Sequence, residues 1–325
     1  MSAESPRFRA ARLHSPGKPL VVEEIEAPEA GPGEVAVDMA FGGVNPVDRY
    51  MAEGRVAPDA PLPRTLGMEG AGRVVGDGRP VLVNGAGMAM ERDGTWAERV
   101  VVPAGALTDI PPGVDLAEAS VMGVAGVTAW RTATELARVT ADDRVLVLGA
   151  SGGVGSILVS LCHSLGARVW GQTGNPDKAA FVAAQGADEV VTADAADLVA
   201  AVGRLAPSVV FDVLGDGFSA AAVEALGPFG RLVTLGVSAG PMAELNMQVL
   251  YRKSLTVHGY GGLIEPEQKM AAARAAALAA LADGRLGVAV AQRLPLERVN
   301  DAFAAIVDRA LTGKVVLELG RPGSA

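Results

Sequence analysis

Cysteine is almost absent from this 325-residue chain, in which Cys162 is the only one. Intramolecular disulfides are therefore excluded, and so is a zinc cluster built from several thiolates. This composition is typical of a protein from a reducing cytoplasm, and we predict a cytoplasmic location.

Long runs of one residue class are also missing. The formal net charge is −9, yet no acidic or basic run stands out, and no basic patch is interleaved with aromatic residues. Both observations argue against a nucleic-acid partner and against an anionic membrane surface. No segment offers about 18 consecutive apolar residues free of charge, so we expect neither a signal peptide nor a membrane span.

The pattern of predicted secondary structure changes near residue 115. Before it, short β-like runs punctuated by proline and glycine predict a mostly antiparallel, barrel-like unit. After it, helical stretches alternate with buried-looking strands, which predicts a doubly wound parallel sheet. A last strand-like run, GKVVLELG, resembles the first unit again. The predicted fold is α/β, with the cofactor-binding sheet (residues 121–262) inserted into a catalytic domain formed by residues 1–120 and 263–325.

The stretch VLVLGASGGVGSILVSLCHSLGARVW, residues 145–170, predicts a strand, a glycine-rich turn and a helix. Glycines let the backbone turn tightly and approach a ligand, while the free N–H groups of the first helical turn favour a phosphate. In the dinucleotide pattern G-x-G-x-x-G, Ala150, Gly152 and Gly155 hold the three glycine positions. A turn that only packs strand against helix is the alternative. The predicted phosphate-binding residues are Ala150, Gly152, Gly153, Val154 and Gly155.

The residues after the next strand indicate which dinucleotide is bound. NAD sites usually place a carboxylate about 20 residues beyond the glycines, whereas this chain has Gln172 there. Thr173, Asn175 and Lys178 offer donors suited to a 2′-phosphate, so we predict NADPH rather than NADH. The neighbouring Asp177 opposes this interpretation, and a solvated surface lysine is the alternative for Lys178.

Motifs along nearly the whole chain carry a family resemblance. FGGVNPVDRYMAEG, GMEGAGRVV, GVAGVTAW, GADEVV, FDVLG, RLVTLG and GKVVLEL occur in this order. With them the chain resembles the medium-chain dehydrogenase/reductase superfamily, and within it the zinc-free quinone-oxidoreductase branch of zeta-crystallin-like proteins. The resemblance implies a GroES-like catalytic domain, an inserted Rossmann domain, NADPH, a cleft between the domains, and a homodimer.

The same resemblance bears on the metal. Zinc-dependent relatives supply a cysteine within GGVNPVD and a histidine within GMEGAG, where this chain has Val44 or Asn45 and then Met68. These are poor zinc ligands, and Glu69 alone makes no site, so we predict no metal. Without a Lewis acid, hydride can still reach an electron-poor acceptor such as a quinone or an enone, whose oxygen then needs hydrogen-bond donors.

Asn45 and Tyr50 are the predicted catalytic residues. Asn45 followed by Pro46 also indicates a helix N-cap and first helical position, which is a sufficient structural explanation by itself. The resemblance places Asn45 beside the nicotinamide ribose or the substrate carbonyl and Tyr50 at the border of the pocket. Asp48 and Arg49 are interpreted as a pair on the helix surface.

Further cofactor contacts follow from the resemblance alone. It implies contacts with the nicotinamide end from Thr128, Leu235, Gly236 and Ser238. Lys314 matches a basic position near the pyrophosphate, with a surface lysine before an edge strand as the alternative. Tyr260 and His258 are candidates for the substrate pocket, with a structural role as the alternative for His258.

The predicted function is zinc-independent, NADPH-dependent reduction of a small-molecule quinone or enone. A shortened spacer around VVGDGRPVLVNGAGMAMERDGTWAERV is similar to the acrylyl-CoA reductase branch, which makes enoyl-thioester reduction the first alternative. A catalytically silent NADPH-binding protein of the crystallin kind is the second alternative, and an acceptor panel discriminates among all three.

Overall fold

The computed structural model describes residues 7–308 and 311–320. The chain divides into two compact units. Unit 1 is Met1–Ala125 with Val290–Ala325, and unit 2 is Gly126–Ala289. None of the helices in the described ranges combines the length and apolar surface that crossing a bilayer requires.

The described residues form strands and helices in this order along the chain. The strands are β1 (Arg7–Leu13), β2 (Val21–Glu26), β3 (Glu34–Gly43), β4 (Arg64–Thr65), β5 (Glu69–Val74), β6 (Pro80–Asn84), β7 (Arg99–Pro103), β8 (Leu107–Asp109), β9 (Arg144–Leu148), β10 (Arg168–Thr173), β11 (Glu189–Thr192), β12 (Val209–Asp212), β13 (Arg231–Thr234), β14 (Thr256–Gly259), β15 (Val290–Pro295) and β16 (Lys314–Glu318). The α-helices are α1 (Pro46–Ala52), α2 (Leu116–Ala119), α3 (Val127–Arg131), α4 (Gly153–Ser164), α5 (Ala179–Ala184), α6 (Leu198–Val202), α7 (Gly217–Ala225), α8 (Met247–Arg252), α9 (Glu267–Ala282) and α10 (Val299–Val307).

Unit 1 is built from antiparallel pairs, as its short, alternating strands predict. Its larger sheet has the order β15-β16-β3-β5-β6-β8, with β7 also on β3, and a smaller sheet has the order β2-β1-β4. Only β15 and β16 pair in parallel in these two sheets of the described chain. Buried side chains from both sheets and from α10 form one apolar core, and the predicted GroES-like architecture is confirmed.

Unit 2 contains a parallel sheet of the order β11-β10-β9-β12-β13-β14. The strand order reverses on either side of β9, which is the switch point where doubly wound folds bind dinucleotides beyond the strand ends. Val145 to Leu148 are all fully buried, as expected for a central strand covered on both faces. The predicted Rossmann-like sheet is confirmed.

The return to unit 1 lies later than predicted. The sequence interpretation began it at residue 263, whereas the structure begins it at Val290. The reason is α9, whose Ala273, Ala277 and Leu278 are buried and which packs against α3 of the same unit. The helix ends before Gly284, whose positive φ of 75° stops it.

Candidate active site

The glycine turn of unit 2 joins β9 to α4. Gly149 leaves the strand with φ of 68°, a left-handed conformation that favours glycine. Gly152 is the N-cap of α4, and no side chain caps this helix. The N–H groups of its first turn have no carbonyl partner within the helix, so the turn presents donors and the positive end of the helix dipole.

Two glycines of this turn differ in what surrounds them. A Cβ on Gly155 would lie well inside van der Waals distance of the Gly149 carbonyl oxygen, so this glycine is required for packing. A Cβ on Gly152 would meet only that same oxygen, at 3.4 Å, which the fold tolerates. Packing therefore explains Gly155 and leaves Gly152 free for the close approach of a ligand.

Gln172 is hydrogen-bonded to the glycine turn through its side chain and its backbone. Its side-chain oxygen accepts from the Gly149 N–H at 2.9 Å, and its side-chain nitrogen donates to the Ala193 carbonyl at 2.6 Å. Its backbone oxygen accepts from Ala150 N–H at 2.9 Å. Gln172 is buried, so its side chain serves the turn.

The three predicted 2′-phosphate donors follow β10 closely. Thr173 is buried, and its hydroxyl accepts from Asn175 N–H at 3.3 Å. The Asn175 side-chain oxygen accepts from Asp177 N–H at 2.9 Å and caps a 3-10 turn over Pro176–Lys178. Lys178 is buried and Asp177 is exposed, so the solvated-surface alternative for Lys178 is wrong. The role of this group toward a 2′-phosphate stays a prediction.

Thr128 and Tyr260 lie together in unit 2. Thr128 is on α3, which is flanked by single π-helical turns at Met122–Gly126 and Thr132–Leu136. Its side chain hydrogen-bonds Tyr260, and burial raises the pKa of that phenol. The buried Arg131 lies 5.7 Å from the Tyr260 ring centroid and pairs with Glu265 at 2.7 Å.

The other predicted contacts of unit 2 follow the ends of neighbouring strands. Leu235 N–H donates to the Asp212 carbonyl at 2.9 Å, and the Ser238 hydroxyl donates to the Val213 carbonyl at 3.1 Å. Gly236 has no room for a Cβ beside the Val213 carbonyl. This loop thus crosses the carboxyl end of β12, while His258 lies half-buried within β14.

A buried polar cluster occupies unit 1, formed by Asn45, Asp48, Glu69 and Lys314 (the polar cluster). Asn45 N–H donates to the Asp48 carboxylate at 2.8 Å, and Met68 N–H donates to it at 3.1 Å. The interpretation of Asp48 as a surface residue paired with Arg49 is therefore wrong. Asp48 is fully buried, and Arg49 instead pairs with Glu53 at 2.6 Å.

Glu69 and Lys314 bind opposite ends of the Asn45 side chain. The Asn45 amide nitrogen donates to Glu69 Oε1 at 2.7 Å, and the Lys314 ammonium donates to Asn45 Oδ1 at 2.6 Å and to the Val44 carbonyl at 2.9 Å. The second Glu69 oxygen accepts from Val124 N–H at 2.7 Å. Lys314 is buried on β16, which has neighbours on both sides, so the alternative of a surface lysine before an edge strand is wrong. Its predicted contact with pyrophosphate stays a prediction.

Burial controls the protonation of this cluster. It raises the pKa of Asp48 to about 7, with a further upward contribution from the charge of Glu69. It also raises the pKa of Glu69 and lowers that of Lys314, and the attraction between these two opposes both shifts. The polar cluster therefore holds two carboxylates and one ammonium where charge is least favoured, and it takes up a proton near neutral pH.

The contacts described below for Tyr50 are with Arg55 and not with the polar cluster. It is half-buried on α1, and the Arg55 guanidinium lies 4.4 Å from its ring centroid. Its backbone oxygen accepts from Arg55 N–H at 2.8 Å. Its role as a proton donor stays a prediction.

Sequence reasoning missed three parts of these sites. Asp48 is at the third helical position after Asn45, and this N-cap spacing was the signal for a buried bond back to the cap. Glu69 alone predicts no metal site, because one carboxylate cannot hold the ion, but this carboxylate needs no metal when a lysine faces it. Gln172 carried no recognisable signal, because a glutamine at a strand end has many roles.

The chain matches known families over both units. One matching model is described as alcohol dehydrogenase GroES-like domain, over residues 31–112, and another as zinc-binding dehydrogenase, over residues 153–277. Quinone oxidoreductase-like protein 2 of Bos taurus is 30% identical, over 96% of this chain and 93% of that protein. Quinone oxidoreductase of Pseudomonas aeruginosa is 27% identical, over 93% of this chain and 96% of its own length.

Solved structures are similar over nearly the whole chain. An NAD-dependent alcohol dehydrogenase has a TM-score of 0.87 at 28% identity, covering 96% of this chain and 100% of that one. A mycobacterial protein complexed with NADPH has a TM-score of 0.82 at 26% identity, covering 96% and 99%. A thermostable alcohol dehydrogenase from Pyrobaculum aerophilum with cobalt and zinc bound has a TM-score of 0.83 at 27% identity, covering 96% and 100%.

Proposed function

Because the chain belongs to the medium-chain dehydrogenase/reductase superfamily, in its zinc-free quinone-oxidoreductase branch, we propose that it transfers hydride from NADPH to a quinone or an α,β-unsaturated carbonyl without zinc. At the coarser level the protein is an NAD(P)-dependent oxidoreductase of this superfamily. The cofactor form, the acceptor and the independence from zinc are the proposal.

The open space at Gly152 is the observation that supports a dinucleotide cofactor bound at the turn. The uncapped first turn of α4 can donate backbone N–H groups to a pyrophosphate, and Gly152 keeps the approach open where a side chain would block it. When bound there, the nicotinamide cofactor supplies the hydride. Thr173, Asn175 and Lys178 are the proposed donors to its 2′-phosphate, and the structural neighbour that holds NADPH supports this choice.

The chemistry of the donor set supports independence from zinc. Val44 is apolar, and Met68 offers only a neutral thioether. Glu69 is already bound by Asn45 and Val124 and faces an ammonium rather than an open coordination position. No group of three histidine, cysteine, aspartate or glutamate side chains arranged for a metal occurs within residues 7–308 and 311–320. These residues do not fit a zinc ion, and no step of the proposal uses one.

Asn45 and Tyr50 are the proposed donors to the acceptor oxygen. Hydride transfer to a quinone or enone leaves negative charge on that oxygen, which preorganised hydrogen-bond donors stabilise. The Asn45 amide has a second N–H beyond the one that Glu69 accepts, and it donates without titrating. The Tyr50 phenol is the second donor and a route for the proton.

A matched pair of variants tests the cofactor site. Gly152 has a backbone conformation that any residue can adopt, so we expect Gly152→Ala to fold normally. We expect this variant to lose NADPH binding, as measured by calorimetry. The control is Gly105→Ala in unit 1, where a Cβ would also meet no atom within 4 Å. Unchanged NADPH affinity in a folded Gly152→Ala protein would show that the turn serves packing only.

An acceptor panel tests the chemistry. We expect acceptor-dependent loss of NADPH absorbance with quinones or enones, and Asn45→Ala should lower turnover by about 10²–10³ while NADPH affinity is nearly retained. A thermal melt measured beside the kinetics separates lost chemistry from lost stability. Turnover with enoyl thioesters alone would favour the first alternative, and NADPH binding without turnover would favour the silent protein.

We also propose that the protein forms a homodimer through β14. This strand is the last of its sheet within the described residues, so its outer backbone groups have no strand partner there. Val257 on the strand and the nearby Tyr251 and Ile264 are exposed, and such an apolar edge favours pairing with another chain. Light scattering should give a dimer for the native chain and a monomer for Val257→Lys. The control is Val307→Lys, at an exposed valine of unit 1, which should stay dimeric.

A further inference from the structure

The Lys314 ammonium lies among oxygens of the kind that bind cations. It is 2.9 Å from the Val44 carbonyl, 2.6 Å from Asn45 Oδ1 and 3.9 Å from Glu69 Oε1. Carbonyl and carboxylate oxygens are the ligands of hard metal ions. Lys314 is 5% exposed and Glu69 is 0% exposed, so these groups bind one another rather than water.

The two charges fix the Asn45 amide in one orientation. The amide oxygen faces the ammonium, and the amide nitrogen faces the carboxylate. A flipped amide would place N–H against the ammonium and oxygen against the carboxylate, which is unfavourable on both sides. Donation from Lys314 also polarises the amide, which makes its N–H groups better donors.

We propose that Lys314 is the built-in cation of this site: its ammonium takes the place that a metal ion would take among these oxygens, and it positions the Asn45 amide. Lys314 is therefore a positioning residue, acting through Asn45. Only the effect on turnover rests on the proposed function; the cation character of the site does not. A metal ion entering the native cluster would meet a positive charge already bound there.

Removing the ammonium should convert the cluster into a site for added cations. Lys314→Ala leaves the Glu69 carboxylate and two carbonyl oxygens, those of Val44 and of the Asn45 side chain, around the space that the side chain vacates. The Asp48 carboxyl also interacts electrostatically with this position. A small cation fits this charge and this oxygen set, whereas a bulky one does not. The native protein already holds the Lys314 ammonium at this position, so neither a small nor a bulky cation should raise its melting temperature.

The first experiment measures melting temperature and is independent of turnover. Lys314→Ala should melt earlier than the native protein and recover by several degrees with ethylammonium or with Mn²⁺, but not with tetramethylammonium at equal ionic strength. The control is Lys253→Ala, which removes an ammonium bound by the carbonyls of Glu224 and Leu226 at 2.7 Å each. It should not recover with either cation.

The double variant Lys314→Met/Glu69→Gln guards against a single variant that does not fold. With both charges removed, the Asn45 amide can flip and accept from the new glutamine. We expect this protein to fold, to melt later than Lys314→Ala and to ignore ethylammonium and Mn²⁺. A double variant that melts no later than Lys314→Ala, or one that recovers with Mn²⁺, would contradict the proposal.

The second experiment separates positioning from cofactor contact. Lys314→Ala should lower kcat by about 10²-fold with little change in the KM for NADPH, and ethylammonium should restore part of kcat. A rise in the KM for NADPH with unchanged kcat would instead assign Lys314 to the pyrophosphate. No cation recovery in the melts, or one tightly bound zinc per native chain by elemental analysis, would overturn the proposal even if the protein reduces quinones as proposed.

Discussion

The two candidate sites of this protein are built in opposite ways. The glycine turn of unit 2 uses backbone N–H groups from residues that follow one another, and it works because side chains are missing. The polar cluster of unit 1 uses four buried side chains, and its Asn45 and Lys314 are separated by 269 positions. One site is a short piece of chain, and the other exists only in the folded unit.

This difference predicts where each site is vulnerable. Buried charges cost free energy when they leave water, so each carboxylate of the polar cluster is tolerated because donors surround it. The turn buries no charge, and its empty space at Gly152 costs the fold little. Changes in the polar cluster should therefore act on stability first, whereas changes in the turn should act on stability or on ligand binding according to which glycine is altered.

The largest effect is expected for Glu69→Gln. The amide removes the negative charge facing Lys314, and its NH₂ group must point at one of two donors, the Asn45 amide or Val124 N–H. We expect a loss of about 3–5 kcal/mol in the free energy of unfolding, measured by urea titration, because a buried ammonium is left without its carboxylate.

An exposed ion pair of the same unit provides the control. Arg298 and Asp301 lie 2.7 Å apart with 58% of each side chain exposed. Asp301→Asn should change stability by less than about 1 kcal/mol. If Glu69→Gln were as mild as this control, the charges of the polar cluster would not be coupled.

The next effect separates two neighbouring glycines. Gly155→Ala forces a Cβ against the Gly149 carbonyl, and we expect a loss of about 1–3 kcal/mol in unfolding free energy from overpacking. Gly152→Ala should unfold like the native protein. Equal stability of the two variants would show that the turn relaxes around Gly155, and the distinction between packing and ligand space would fail.

These variants also show what the sequence could predict. Gly152 and Gly155 were found because strand, turn and helix follow one another, so their spacing alone carries the geometry. Alternation of strands and helices likewise predicted the doubly wound parallel sheet of unit 2, because crossovers in parallel sheets have one hand. The return to unit 1 at Val290 could not be predicted, because the composition of the alanine-rich helix α9 does not indicate which unit it packs against.

The polar cluster could not be assembled in the same way. Only the register of β16 on β3 brings Lys314 to the end of β3, where Asn45 follows. The sequence predicts a surface position for Asp48, because charged side chains are seldom buried without partners. Its partners are backbone N–H groups, which no sequence displays. Side chains that meet through tertiary pairing leave no local pattern.

A smaller effect is expected at Lys178. If its ammonium binds the 2′-phosphate, Lys178→Ala should reduce the preference for NADPH over NADH by about 1–2 kcal/mol, as a lost charge-assisted hydrogen bond would. The ratio of kcat/KM values for the two cofactors measures this. Lys269→Ala, at an exposed lysine of α9, is the control and should leave the ratio unchanged. An unchanged ratio in Lys178→Ala would make Lys178 structural.

The last prediction concerns pH and Asp48. Burial raises the pKa of this carboxyl from 3.8 to about 7, so between these values the folded state holds a proton that the unfolded state has lost. The contribution of Asp48 is therefore fully present below pH 3.8 and declines as the pH rises through about 7. One linked proton gives a slope of at most about 1.4 kcal/mol per pH unit.

Asp48→Asn removes this titration while keeping the shape of the side chain. Other groups also titrate between pH 4 and 7, so the quantity to compare is the difference in unfolding free energy between native and variant proteins at each pH. We expect the native protein to lose stability relative to Asp48→Asn as the pH rises over this range, because Asp48 of the unfolded chain releases its proton while the folded chain keeps it, and the variant has no such proton. The control is Asp301→Asn, at an exposed carboxylate of the same unit. A difference that stays constant with pH would mean that Asp48 ionises as an ordinary carboxylate, held charged by Asn45 and Met68 N–H alone, and the polar cluster would then carry its full negative charge at every pH in the range.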